Sequence, residues 1–281
     1  METQLEQARE QQKQSWNKFS PGWKKWDAFN MAFLLPMGKA IIDSLQILDG
    51  DLVLDIATGT GEPGLTIATL TPHGKVTGID LSADMLSIAR NNADAKGLPN
   101  YETLLADVCE LPFANEAFDA VSCRMGFMFF PDMQMATREM YRVVKQGGRI
   151  ATAVWAAPEL NNWVTTIMSV INKHIESPAP MLGAPGMFRC AAPDLITDLF
   201  KKAGFKNIEK KQISGQVDYE SFDRYWQIML DVGAPIVAAL SKADEVTIVK
   251  IKTEVAELFH DRNKEGGAIL NYAALIINGE K

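Results

Sequence analysis

The chain has 281 residues, 47% of them apolar and 22% charged, and a net charge of −7. That length suits one large domain with its own core, or a domain with a cap. The charge, with no Lys/Arg block, argues against a nucleic-acid surface, and no apolar run approaches the ~18 residues of a membrane span.

Met1 to Gln14 is polar and Gln/Glu-rich, unlike a signal peptide. A polar helix is predicted over 3–18. An aromatic segment follows: Trp16, Phe19, Trp23, Trp26, Phe29 and Phe33, with Ser20-Pro21-Gly22 predicting a turn inside it. Two readings stand for these rings: packing onto the core, or a lid over a ligand site. An amphipathic helix over 36–48 leads through Asp49-Gly50 into a short apolar strand, Leu52–Ile56. A Gly/Thr-rich turn comes next, and Pro63 opens a helix, where its missing N–H costs nothing. A second strand spans 75–80. Ser82 caps a helix that runs to Lys96 and stops at Gly97. Strands are predicted over 101–105 and 118–123, a helix over 133–145, a Gly147-Gly148 turn and a strand over 149–155. Beyond Trp155 come a helix over 163–175, a Pro/Gly/Met-rich loop over 177–188, and a helix from Pro193 to Ala203. A strand over 207–219, two helical pieces in 221–263 split near Gly233-Ala234-Pro235, and a strand over 268–277 end the chain. Strands alternating with helices predict an α/β fold with a doubly wound, mostly parallel sheet. Cys109, Cys123 and Cys190 show no CxxC spacing and read as reduced thiols, with no disulfide framework and no metal site.

The segment Asp55-Ile56-Ala57-Thr58-Gly59-Thr60-Gly61-Glu62-Pro63-Gly64 carries the chemistry. It is a strand, a tight turn and a helix start, which turns backbone N–H groups and a positive helix end toward a ligand. Gly59-x-Gly61-x-x-Gly64 matches the dinucleotide pattern. Asp55, however, sits inside the strand end, where it would repel a phosphate and suits an ammonium or sulfonium. Asp80, at the end of the second strand, suits a ribose diol. Asp107 suits an adenine amino group. Together they describe a zwitterionic nucleoside rather than a pyrophosphate.

These residues, with Gly78-Ile79-Asp80-Leu81-Ser82, Ala106-Asp107-Val108, Leu111-Pro112-Phe113, Phe118-Asp119-Ala120-Val121 and Val144-Lys145-Gln146-Gly147-Gly148, resemble the class I S-adenosylmethionine (SAM)-dependent methyltransferases. Within that group the chain looks most like the ubiquinone/menaquinone-biosynthesis (UbiE-like) branch. The resemblance covers roughly residues 15 to 155. It implies a Rossmann-like seven-stranded sheet with an antiparallel last strand, helices on both faces and a helical cap. The expected organisation is a helical, aromatic lid (1–45), a SAM-binding core (46–156), a cap segment (157–192), a core helix and strand (193–219), a helical insertion (220–265) and a terminal strand (266–281).

The cofactor implied is SAM, with S-adenosylhomocysteine (SAH) as product. Asp55, Ala57, Thr58, Gly59, Thr60 and Gly61 are expected at its amino-acid end, Asp80 and Leu81 at the ribose and adenine, and Asp107 and Val108 at the adenine edge. Arg124 and Met125 follow the fourth strand, where Arg124 is expected to act through its backbone. Phe19 and Trp26 are the lid residues singled out. Phe127, Trp155, Met187, Phe188 and Tyr225 are expected in the acceptor pocket, among a wider Met/aromatic set that includes Phe129, Trp163 and Met181. His174 is the candidate base, although methyl transfer to a nucleophile that is already ionised needs none. The expected activity is methyl transfer to a small, largely apolar or aromatic acceptor, at oxygen before carbon or nitrogen. The expected location is the cytoplasm, without nucleic-acid partners and with a homodimer as one possible assembly. The rival readings are an NAD(P)-dependent oxidoreductase and a non-catalytic SAM-binding regulator.

Overall fold

The structure is a computed structural model that describes residues 3–176, 183–192, 194–262 and 268–281. Its centre is one seven-stranded sheet: β1 (Leu52–Ile56), β2 (Lys75–Asp80), β3 (Tyr101–Leu105), β4 (Phe118–Arg124), β5 (Val144–Trp155), β6 (Lys206–Asp218) and β7 (Ile269–Glu280). The spatial order is β3-β2-β1-β4-β5-β7-β6. β7 is antiparallel to both of its neighbours, so β6 runs with the other five. The order reverses between β1 and β4, and a crevice opens there beyond the carboxyl ends of the strands. β1 pairs with β2 on one side and β4 on the other, which sets Asp55 beside both Gly78 and Ser122. The expected fold class is therefore what the chain adopts.

The described helices are α1 (Gln4–Lys25), α2 (Asp27–Leu45), α3 (Gly64–Leu70), α4 (Ala83–Lys96), α5 (Met133–Val143), α6 (Asn162–His174), α7 (Leu195–Ala203), α8 (Phe222–Val232), α9 (Ala234–Leu240) and α10 (Glu245–Arg262). The local signals for α4 operate as read. The Met85 N–H donates to Ser82 Oγ at 3.1 Å, Asp84 sits in the first turn, and Gly97 closes the helix at φ 64°.

Other signals were overridden by packing. Ser20-Pro21-Gly22 does not break α1. Pro21 leaves the Asn17 carbonyl without its backbone donor, and the Ser20 hydroxyl fills that vacancy at 2.9 Å. Gly22 serves a close approach rather than a turn, since a Cβ there would collide with the Asp231 backbone in α8. α2 starts at Asp27, well before the expected 36, so Phe29 and Phe33 are helical. β5 starts at Val144, and Gly147, at φ 75°, lies within it beside a register irregularity against β4. Among the described residues the insertion makes three helices rather than two. Its second break precedes α10, where Asp244 accepts from the Thr247 N–H at 2.8 Å. The expected helix opener Pro193 and the pocket candidate Met181 fall outside the described residues. The three cysteines are buried and free, and no described helix is long and apolar enough to cross a membrane.

Candidate active site

A cavity partly open to solvent fills the crevice. Its strand-end wall is made by Ile56–Thr60, Glu62, Ile79–Leu81, Ala106–Val108 and Arg124–Gly126. Its opposite wall comes from Gln12, Trp16 and Trp23 of α1, Met31 and Leu34 of α2, and Phe129–Pro131 after β4.

The turn after β1 is built on Asp55. Its Oδ2 accepts from the Thr58 hydroxyl at 2.6 Å and the Gly64 N–H at 3.2 Å, and its Oδ1 accepts from the Ser122 hydroxyl at 2.6 Å. The Thr58 hydroxyl hydrogen is engaged with Asp55, so the Tyr101 hydroxyl, 2.8 Å away, must donate to Thr58. Gly64 is required here, because a Cβ would stand 2.8 Å from Asp55 Oδ2. The carboxylate is fully buried. Burial pushes its pKa up to about 6, against the opposing pull of Ser122, Thr58, Arg124 and Gly64. The expectation that Asp55 faces the ligand needs correcting: it lies under the turn and does not line the cavity. Its two oxygens are taken up by the Thr58, Gly64 and Ser122 donors of the turn and of β4. Ala57, Thr58, Gly59 and Thr60 do line it, with Ala57 and Gly59 at positive φ, whereas Gly61 stands behind them.

Asp80 lines the cavity and also holds the turn. Its Oδ2 accepts from the Gly59 N–H at 3.0 Å and its Oδ1 from the Ser82 N–H at 2.9 Å. Each oxygen keeps a further lone pair for a ligand hydroxyl. Burial raises its pKa, opposed by the N–H donors of Ser82, Gly59 and Leu81. Leu81 and Val108 are lining residues too. Asp107 accepts from the Cys109 N–H at 2.8 Å and forms an ion pair with Arg9 of α1. Sequence reasoning missed Arg9. Arg124 ends β4 and lines the cavity with Met125; its Nη2 donates to Met31 Sδ at 3.3 Å.

The lid residues differ from those expected. Trp16 and Trp23 line the cavity, and Trp16 packs edge-on against Phe129 at 5.3 Å. Phe19 is buried but is not a lining residue. Trp26 stands at the joint between α1 and α2, and its indole N–H donates to Asp231 at 2.8 Å, away from the cavity. The signal was available in the spacing of Gln12, Trp16 and Trp23, which share one face of an uninterrupted helix. The predicted turn at Pro21 concealed it.

The acceptor-pocket residues are also corrected. Phe127 is buried against Phe130 and Phe200. Trp155 packs with Phe33 and Trp163, and the Tyr225 hydroxyl donates to the Trp163 carbonyl at 2.9 Å. Met187 and Phe188 are half-buried and do not line the cavity. These rings fill the joints between the sheet and its helices, where apolar area is most fully removed from water. His174 is corrected as well. Its Nε2 lies 2.8 Å from Glu254 Oε1, joining α6 to α10 outside the cavity. Among the described residues no His/Cys/Asp/Glu cluster could hold a metal ion.

Residues 53–148 match the family model described as a methyltransferase domain. A demethylmenaquinone methyltransferase of Listeria monocytogenes is 28% identical over 219 residues, covering 70% of this chain and 88% of that protein. One from Thermus thermophilus is 42% identical over 106 residues, 38% of this chain and 48% of that protein. The YcgJ protein of Bacillus subtilis shares the fold, with a TM-score of 0.59 and 19% identity over 87% of this chain and 97% of its own. The matched domain holds the Asp55 turn, Asp80, Asp107 and Arg124, and its description is a methyltransferase rather than an oxidoreductase. The domain match over residues 53–148, the sheet order and the methyltransferase relatives together support a SAM-dependent methyltransferase.

Proposed function

We propose that the enzyme methylates a small, largely apolar or aromatic acceptor, at oxygen before carbon or nitrogen. A quinol-like ring is the acceptor class that the relatives' names suggest. The observation that carries this reading is the α1/α2 wall. Trp16, Trp23, Met31, Leu34 and Phe129 present rings and flexible apolar chains to the space opposite the strand ends. A sugar or a strongly charged metabolite would find few partners on it. We place the enzyme in the cytoplasm.

The geometry supports the following roles for the cofactor's residues. Asp80 would accept the ribose hydroxyls, with Leu81 and Val108 against the adenine and Asp107 at its edge. The turn Ala57–Thr60 would hold the amino-acid end, joined by the backbone at Arg124 and Met125. Thr60 Oγ1 fits this reading, since it is buried and, among the described residues, has no hydrogen-bond partner. SAM supplies an electrophilic methyl on a sulfonium that leaves as a neutral thioether, so no acid is needed. What the chain must do is hold the nucleophile in line and exclude water. The aromatic wall suits both tasks, and ring faces attract a sulfonium and its methyl.

The test is isothermal titration with SAH, followed by a methyl-transfer screen against phenols, quinols, catechols and amines. The expected result is SAH binding with turnover on ring hydroxy-compounds. Turnover confined to amines would overturn the acceptor class, and absence of SAH binding would overturn the site.

A further inference from the structure

We propose that the Arg124 guanidinium and the Trp23 indole N–H form an oxyanion subsite, so that the acceptor is bound as a phenolate- or enolate-type anion. The proposal deepens the methyl-transfer reading and rests on it.

Arg124 is an unusual cation. It lines the cavity, and among the described residues its side chain forms no ion pair; its hydrogen bond goes to a thioether, a weak acceptor. Three carboxylates face it at longer range: Asp55, Glu62 and Asp27. Asp55 is held by Thr58, Ser122 and Gly64. Glu62 accepts from the Thr66 N–H and hydroxyl at 3.0 and 2.7 Å and pairs with Lys96 at 3.2 Å. Asp27, in the first turn of α2, has a buried Oδ1 without a hydrogen bond to Arg124 or to any other described group. Burial lowers the Arg124 pKa, the mark of a charge held without full compensation. Trp23 lines the same cavity, and its Nε1 is buried with no partner among the described residues. A desolvated guanidinium and an orphaned indole N–H on one cavity call for an oxygen carrying negative charge.

This arrangement removes the need for a base. A ring hydroxyl between a guanidinium and the sulfonium is favoured in its ionised form, because two positive charges stabilise the anion. The hydroxyl proton leaves to water as the anion binds. The oxyanion's lone pair then forms the bond to the methyl carbon, while the sulfur–methyl bond breaks and its pair stays on sulfur. The products are a neutral ether and a neutral thioether. Where the anion attacks through its ring carbon instead, the hydrogen on that carbon leaves to water afterwards and its pair restores the aromatic phenolate. Either route runs without a histidine in the cavity.

The test uses the full chain loaded with SAH and 4-nitrophenol as probe, whose phenolate absorbs in the visible. In the wild-type complex the bound probe should stay ionised at least about one pH unit below the free probe. It should also bind at least about tenfold tighter than 4-nitrophenyl methyl ether. Arg124→Met should abolish both effects while changing SAH affinity by less than about threefold. Arg124→Lys keeps the charge and should retain the shift, which controls for misfolding of the methionine variant. Trp23→Phe should lose part of it. An unshifted probe on the SAH-loaded wild type overturns the subsite while leaving the methyl-transfer reading intact. So does an Arg124→Met variant that loses SAH affinity, since that outcome puts the guanidinium on the cofactor's carboxylate. Failure of the wild type to bind SAH at all overturns the methyl-transfer reading first and this inference with it.

Discussion

The two walls of the cavity are built on different principles. On the strand-end wall, Asp80 and Asp107 accept backbone N–H groups that fix their orientation, and Asp55 braces the turn from below. On the helix wall, Trp16, Trp23, Met31 and Leu34 come from α1 and α2 and present apolar surface with one open indole N–H. The first wall is preorganised for a fixed ligand. The second can adapt its shape, as methionine allows, and suits the variable partner. Alanine in place of Asp80 breaks the contrast most severely. It removes the two acceptors proposed for the ribose and leaves the Gly59 and Ser82 N–H groups without their carboxylate. SAH affinity should fall by at least ~100-fold, about 3 kcal/mol for two hydrogen bonds to a charged group. Calorimetry reads the loss, and wild-type affinity in that variant would show that the strand-end wall is not the cofactor's.

A smaller effect tests whether Asp55 acts from beneath the turn. Its pKa in the folded chain is about 6, above the ordinary 3.8. Well below pH 3.8 the carboxyl is protonated in both folded and unfolded chains, and it adds no pH dependence. As pH rises from there toward 6 the unfolded chain ionises first, so folding stability falls, and above 6 the deficit is complete. The raised pKa corresponds to about 3 kcal/mol. Asp55→Asn does not titrate. It keeps an acceptor for Thr58 and Gly64, and the Ser122 hydroxyl can rotate to accept from its amide. The melting temperature of wild type minus that of Asp55→Asn should therefore shrink between pH 4 and pH 7. A gap that stays constant would mean that the carboxylate is not desolvated as the structure has it. SAH, which lacks the sulfonium charge, should leave the pattern in place.

What the sequence made legible follows the same division. The strands, the Ser82 cap, the Gly97 stop and the order of Asp55, Asp80 and Asp107 are local features, each fixed by residues a few positions apart. The helix wall depends on contacts that no local pattern contains. Pro21 reads as a break, yet the Ser20 hydroxyl repairs the helix, and Gly22 answers to Asp231 more than 200 residues away. Once α1 is continuous, Trp16 and Trp23 face the cavity and Trp26 is carried past it to α8. Phe127, Trp155 and Tyr225 were drawn toward the pocket by composition, since core and pocket use the same residue types. Arg124 could be placed at a strand end, but its want of an ion-pair partner among the described residues is visible only in three dimensions.

The smallest expected effect concerns the one histidine that had been given a chemical role. His174 joins α6 to α10 through Glu254, both partly exposed, with 16% and 30% of their side-chain surface open. Replacing it with alanine removes that contact and some packing, worth about 1 kcal/mol at such a site. The melting temperature should drop by roughly 2–4 °C. Methyl-transfer kcat/KM should stay within about twofold of wild type, because a cost in kcat requires loss of a contact made at the reacting atoms. A drop of ~100-fold without loss of fold would place His174 at the chemistry after all. It would require α6 and α10 to reach the cavity in the working enzyme, and the oxyanion subsite would then have a base beside it that its own logic does not need.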